Sequence, residues 1–142
     1  MLDSDAGKSI NIQIKSIEKK LFESFKKRED ELRDKETKIV NQKNLLSENE
    51  YKKKILSLKK DVDTYNNEKK NRLNSLNKKK KIATEQLIKN LNPILTKYMQ
   101  DNLIEIIIRK QDIIVAKNDL EITDKIISLL NMNLNKIELK DD

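Results

Sequence analysis

The chain has 142 residues, of which 39% are charged and only 4% aromatic, and its formal net charge is +7. It contains no histidine or cysteine, so disulfides and metal sites built on imidazole or thiolate are excluded. Gly7 and Pro93 are the only glycine and proline, which leaves the 85 residues of 8–92 without a helix-breaking residue. The composition therefore favours long helices and argues against an enzyme, which needs positioned acids, bases or nucleophiles.

The first eight residues form a polar lead-in. The stretch Gly7–Ser9 is similar to the end of a phosphate-binding loop, but that motif needs a second glycine where this chain has Leu2. We therefore expect no nucleotide site and no other cofactor. Ser4 or Asp5 is predicted to cap the entry into a helix.

Apolar spacing predicts a helical-hairpin arm over residues 9–101. The first helix, Ser9–Asn44, carries apolar residues at steps of three and four and then only at every seventh position, the last of which lies just past its end: Ile10, Ile14, Ile17, Leu21, Phe25, Leu32, Ile39 and Leu46. Ser47 and Glu50 form a capping box that starts the second helix, Ser47–Gln100. Two long helices with so short a break pack antiparallel, so the hairpin tip is predicted near residues 45–50.

The second helix carries a similar narrow seam: Tyr51, Ile55, Leu58, Val62, Tyr65, Leu73, Leu76, Ala83, Leu87, Leu91, Ile94 and Tyr98. Lys69 and Lys80 also occupy seam positions, which predicts weak pairing along the middle of the arm. Pro93 predicts a kink. Residues 51–81 hold twelve basic and three acidic side chains, a local net charge of +9, whereas residues 18–50 hold nine of each.

Residues 102–133 are predicted to form a small oligomerisation base. β-Branched residues alternate with polar ones, which predicts a β-hairpin whose interface side chains are Ile104, Ile106, Ile108, Ile113 and Val115. Two strands alone are unstable in water, so strands of other copies must complete the sheet. Thr123 is predicted to cap a short helix from Asp124 to about Asn131, and the 134–142 tail is predicted to fray.

The order of these elements resembles the Skp (OmpH-like) family of periplasmic chaperones. The resemblance rests on the stretches Ser4–Lys8, Phe25–Leu32, Asn92–Ile94 and Asp119–Asp124, and it covers nearly the whole chain. Family members carry a signal peptide and a first strand before the first of these stretches, and this sequence starts just after that strand.

The resemblance implies a mainly α fold with a small β base, in which strands of three subunits form a barrel and three helical hairpins surround a cavity. It implies an ATP-independent holdase that keeps unfolded outer-membrane proteins in that cavity. It also implies a periplasmic location, although no signal peptide precedes Leu2. Contact with an anionic membrane surface or lipopolysaccharide is a further expectation.

Two sets of arm residues are candidates for client contact. Phe22, Phe25, Tyr51 and Tyr65 are expected to be partly available to a client along a thin seam. A basic surface is expected at Lys69, Lys70, Lys78, Lys79 and Lys81. The alternative functions are a structural coiled-coil tether or scaffold and, less favoured, a basic nucleic-acid-binding protein; the chain lacks aromatic side chains interleaved with the lysines, so no nucleic-acid partner is expected.

Overall fold

The structure, a computed structural model, describes residues 2–139. Helix α1 spans Asp5–Asn41, helix α2 spans Glu48–Asp101, and helix α3 spans Thr123–Asn133. Single 3-10 turns occur at Lys110–Asp112 and Asn118–Leu120. The long α1–α2 hairpin predicted from the apolar spacing is confirmed.

The chain folds as two compact units. The hairpin unit consists of Lys15–Lys78 and contains the connection between α1 and α2. The terminal unit consists of the residues up to Ile14 together with those from Lys79 onward. Helix α2 continues past Pro93 to Asp101, so the proline does not end it.

Side-chain caps fix where the two long helices begin. The buried Ser4 accepts a hydrogen bond on Oγ from the Gly7 amide at 3.2 Å, so α1 starts four residues before the predicted Ser9. At α2 the Glu50 amide donates to Ser47 Oγ at 3.4 Å, and the Ser47 amide donates to Glu50 Oε2 at 3.0 Å. This reciprocal pair is the predicted capping box, and it satisfies amides that the first helical turn leaves without intrahelical partners.

The predicted seam is the buried face of the long helices. Every predicted seam residue except Ile55 is buried or half-buried. The fully buried members in the hairpin unit are Phe25, Ile39, Tyr65 and Leu76, and those in the terminal unit are Ile10, Ile14, Ala83 and Leu87.

The terminal unit has its own core. Helix α3 contributes Ile126 and Leu130 to this core, together with the buried side chains of α1 and α2 and with Ile137. The N-cap of α3 is Ile122, without a side-chain cap, and Thr123 is the first helical residue. The prediction that Thr123 caps this helix is therefore wrong, although the helix itself forms.

The β-hairpin predicted at Leu103–Lys110 and Ile113–Lys117 is not formed in the single chain, because no strand occurs among residues 2–139. Helix α2 ends instead in a Schellman-type turn, in which the Ile104 amide donates to the Met99 carbonyl at 2.9 Å and Leu103 has φ 54°. Two strands without further partners bury too little apolar surface to be stable, so the segment stays as turns and unpaired backbone.

The tail prediction is also corrected. Residues 131–133 continue α3, and Ile137 is buried in the terminal unit. The backbone of residues 137–139 is hydrogen-bonded to the Gln13 side chain. The tail is therefore docked as far as residue 139, and the rest of the prediction, residues 140–142, lies outside the described residues.

Candidate functional site

The aromatic side chains predicted to contact clients have different environments in the hairpin unit. Phe25 and Tyr65 meet edge to face with ring centroids 6.3 Å apart, and only 5% and 7% of their surfaces are exposed. Phe22 packs edge-on against Phe25 at 6.1 Å but is 56% exposed, and Tyr51 is half-buried. The expectation that Phe25 and Tyr65 are available to a client is corrected: they fill the contact between the helices, where a large aromatic pair excludes water.

Charged groups surround this aromatic pair. The Tyr65 hydroxyl donates a hydrogen bond to Glu29 Oε1 at 2.5 Å, and Lys69 Nζ donates to the same oxygen at 2.7 Å. Lys69 Nζ also lies 5.4 Å from the Phe25 ring centroid and 5.5 Å from that of Tyr65, within cation–π range. Lys69, predicted as part of the basic surface, therefore lies in the seam and is half-buried.

The protonation of the Glu29–Tyr65–Lys69 cluster follows from these bonds. The hydrogen bond from Lys69, with that from Tyr65, holds the pKa of Glu29 below its ordinary value. Burial, followed by the bond to Glu29, raises the pKa of Tyr65, and the bond to Glu29 raises the pKa of Lys69. At neutral pH the cluster therefore contains a carboxylate, a neutral phenol and an ammonium group, which complement each other across the seam.

Sequence reasoning identified Phe22 as available to a client but missed three further exposed apolar residues of the hairpin unit, Val40, Leu45 and Leu56. Phe22, Val40 and Leu56 each follow a seam residue on a helix and are exposed because successive helical residues point about 100° apart, and Leu45 lies in the turn between α1 and α2. In the hairpin unit we call Phe22, Val40, Leu45 and Leu56 the off-seam residues, and their exposed fractions range from 53% to 85%. The signal was present as doubled apolar residues such as Leu21-Phe22 and Ile55-Leu56.

The off-seam residues are scattered among charged and polar side chains. Two open grooves in the hairpin unit have volumes of about 290 Å³ and 190 Å³. The first is bounded by Lys35, Lys38 and Lys54 around Ile39, and the second lies beside Phe25 and Tyr65. These are shallow surfaces, suited to many weak contacts along a chain and unlike an enclosed substrate pocket.

The basic surface is carried mainly by α2. Lys70, Lys78 and Lys81 are exposed, and Lys81 approaches Glu85 at 3.8 Å. Lys79 is half-buried. Within the hairpin unit, which ends at Lys78, Lys35 forms an ion pair with Asp61 across the two helices. Because Lys35 lies on α1 and Asp61 on α2, this pair joins the two helices of the hairpin.

The predicted interface residues lie in the terminal unit, and the single chain leaves most of them uncovered. Ile104 is half-buried, whereas the other four, Ile106, Ile108, Ile113 and Val115, are exposed. Their neighbour Ile114 is 99% exposed. Ion pairs hold the intervening turns, with Arg109 Nε 2.6 Å from Asp112 Oδ2 and Lys110 Nζ 2.6 Å from Glu121 Oε2.

Comparison with known proteins gives two matches. The family model for outer membrane protein (OmpH-like) matches residues 1–130. A solved structure from Caulobacter crescentus CB15, named as a candidate outer membrane chaperone (OmpH-like), superposes with a TM-score of 0.88 over 96% of this chain and 80% of that chain, at 13% identity. At that identity the likeness shows the fold alone. No curated protein matches in sequence, and within residues 2–139 no helix is long and apolar enough to cross a membrane.

Proposed function

The chain belongs to the OmpH-like outer membrane protein family, and from that premise we propose that it is a holdase chaperone that binds unfolded outer-membrane proteins in the periplasm without ATP. The observation that carries the proposal is the set of off-seam residues, which leaves apolar side chains exposed on the hairpin unit. A holdase must shelter apolar segments of its client and yet release them.

Scattered contacts meet that requirement. Burying one Leu or Phe side chain fully gives roughly 1.5–3 kcal/mol, and a partly covered surface residue gives less. Several such contacts together hold a client, while each one can open independently. The buried pair Phe25 and Tyr65 serves a different purpose in this proposal, since it keeps the two helices together while Phe22 remains exposed beside it.

Assembly belongs to the same proposal. The segment of residues 103–115 exposes large apolar side chains, which stable monomers avoid in contiguous patches. We expect three copies to cover them by pairing this segment into a shared sheet with Ile104, Ile106, Ile108, Ile113 and Val115 at the interface. The hairpins of the three copies then surround the cavity that holds the client.

The basic surface attracts clients and membranes in this proposal. Lys70, Lys78 and Lys81 present exposed ammonium groups on α2. Such groups raise the encounter rate with acidic chains, and they also bind anionic surfaces such as lipopolysaccharide. The attraction weakens with salt, because exposed charges are screened beyond about 10 Å at 0.1 M ionic strength.

The proposal is tested by diluting a urea-unfolded outer-membrane protein into buffer with the chaperone and following aggregation by light scattering. We expect protection that is the same with and without ATP. The triple variant Phe22→Ser, Leu45→Ser, Leu56→Ser should protect several-fold less well. A matched control replaces three exposed asparagines of the same unit, Asn41, Asn49 and Asn66, with serine and should protect like the parent. An unprotected client with the parent chain at low salt refutes the proposal.

A further inference from the structure

The last described residues of the chain occupy a specific place in the terminal unit. Ile137 is buried, and Leu139 is half-buried. Lys136 and Glu138, which alternate with them, are exposed, and their side chains form an ion pair with 2.9 Å between Nζ and Oε1. Alternation of this kind is typical of extended backbone, in which residues i and i+2 share a face.

Gln13 of α1 holds the backbone of this segment. Its Nε2 donates a hydrogen bond to the Ile137 carbonyl at 2.7 Å, and its Oε1 accepts one from the Leu139 amide at 3.0 Å. One side-chain amide therefore pairs with the carbonyl and the amide of two residues on the same segment. A neighbouring β-strand offers a donor and an acceptor to an extended chain in the same way.

The Gln13 side chain is pre-oriented for this task. Its Nε2 also lies 3.1 Å from Ser9 Oγ and 3.3 Å from the Ser9 carbonyl, one helical turn earlier. Gln13 is half-buried and stands next to the buried Ile14. Because the amide is fixed by its own helix, it need not be ordered when an extended segment binds, which lowers the entropic cost of binding.

None of these contacts depends on which polar side chains the segment carries. The hydrogen bonds go to the backbone, and burial selects an apolar side chain at Ile137 and, less strictly, at Leu139. The contacts thus specify a pattern: extended backbone with apolar residues at alternate positions. Addition of an extended peptide through backbone bonds, with alternate side chains giving specificity, is a known mode of peptide recognition.

We propose that Ser9 and Gln13, with the surface that buries Ile137, form a peptide site for extended segments with apolar residues at alternate positions, and that residues 136–139 occupy this site in competition with clients. The tail is a built-in competitor with the same chemistry as the ligand. Transmembrane β-strands of outer-membrane proteins alternate apolar and polar residues, so their unfolded chains contain many matching segments. This assignment of the client segment rests on the proposed function, whereas the peptide site does not.

The test uses the full chain and two fluorescent peptides of one composition. The peptide LNKIEL copies residues 134–139, and LNKEIL exchanges two residues so that the apolar side chains become adjacent. The double variant Ile137→Asn, Leu139→Asn weakens the internal competitor. We expect the double variant to bind LNKIEL at least about tenfold more tightly than the parent chain does. We also expect it to bind LNKIEL about tenfold more tightly than LNKEIL, a factor that corresponds to 1.4 kcal/mol. Adding Gln13→Ala should remove this preference.

Equal binding of the two peptides, or an undiminished preference after Gln13→Ala, overturns the proposal, as does the absence of binding to the double variant. If the double variant loses its helical circular dichroism signal, it is unfolded, and the test is then made with the parent chain. An excess of LNKIEL should then speed hydrogen exchange at the Leu139 amide, and LNKEIL should not. An unchanged rate with LNKIEL also overturns the proposal. Peptide binding without protection of a client would instead refute only the proposed function.

Discussion

At the scale of single residues, Phe22 and Phe25 show that one side-chain type occupies two different environments three positions apart. Phe25 faces α2 and lies against Tyr65, whereas Phe22 stands at the edge of the same contact with more than half of its surface exposed. The difference follows from the helical period, which places residue 25 in the seam and residue 22 beside it.

Alanine substitutions should distinguish the buried phenylalanine from the exposed one by their effects on stability. Phe25→Ala removes a buried aromatic ring and should lower the free energy of unfolding by about 3 kcal/mol or more. Phe22→Ala is the matched control and should cost less than half as much, because its exposed surface is already in contact with water. Urea unfolding followed by circular dichroism measures both. Equal destabilisation by the two variants would contradict the packing described for the seam.

The hydrogen bonds to the Glu29 carboxylate predict that the stability of the protein depends on pH. Lys69 and Tyr65 lower the pKa of Glu29 in the folded chain from its ordinary value of 4.5. Since the folded-state pKa is the lower one, these contacts contribute their full stability above pH 4.5 and lose it as the pH falls through the folded-state pKa. Melting temperatures measured down this pH range should therefore fall less steeply in Glu29→Gln than in the parent.

Glu23→Gln is the control for this experiment, since Glu23 is an exposed residue of the same helix. It should reproduce the pH dependence of the parent. If Glu29→Gln also shows the pH dependence of the parent, the Glu29–Lys69–Tyr65 contacts do not contribute to the change of stability with pH.

At the scale of secondary-structure elements, the start of α2 depends on two side chains that the sequence already identifies. Ser47→Ala removes the Oγ acceptor of the Glu50 amide and should destabilise the hairpin unit by about 1 kcal/mol. Ser57→Ala changes an exposed serine inside the same helix and should alter stability little, because alanine is the better helix former. Thermal unfolding of both variants measures the difference, and a Ser47→Ala protein as stable as the parent would show that the cap is not needed.

The helices were predictable because their signals are local. The apolar period, the Ser47–Glu50 box and the absence of glycine and proline from residues 8–92 all act within a few residues of the backbone they organise. The same locality explains the error at Phe25 and Tyr65. The spacing located both in a seam, but the charged cluster of Glu29 and Lys69 that completes their burial comes from two different helices.

The non-local features were not predictable in the same way. The alternation of Ile104, Ile106 and Ile108 indicates strand propensity, yet a strand needs a partner, and the single chain supplies none among its described residues. The docked tail depends on a bond between residues more than a hundred positions apart, Gln13 and Ile137. The local sequence around each residue gives no sign of this contact. A tail of this kind is therefore predicted to fray unless the surface that binds it is known.

At the scale of the whole molecule, the proposed assembly makes a prediction for the exposed isoleucines of residues 103–115. Ile106→Lys should shift the mass measured by light scattering toward the monomer, because a charge cannot be buried in a shared sheet without a partner. Val40→Lys introduces the same charge at an exposed apolar residue of the hairpin unit and should leave the mass unchanged. An unaltered oligomer in Ile106→Lys would show that this segment is not the interface.

The proposed role of the basic surface makes a prediction about the rate of client capture. Reversal of Lys70, Lys78 and Lys81 to glutamate should slow the capture of an unfolded outer-membrane protein by about tenfold at low salt, because localised charge acts mainly on the encounter rate. Release should change less, since the off-seam residues that we propose to hold the client are retained. Stopped-flow fluorescence with a labelled client measures both rates.

The control for the capture experiment reverses three exposed lysines of α1, where acidic and basic residues are balanced: Lys19, Lys20 and Lys26. This control changes the net charge by the same amount but leaves the basic surface of α2 intact, so capture should be slowed less. The difference between the two variants should shrink as salt is added, because screening removes the local field first from exposed groups. Equal slowing by both variants would mean that total charge, and not the position of the lysines on α2, attracts the client.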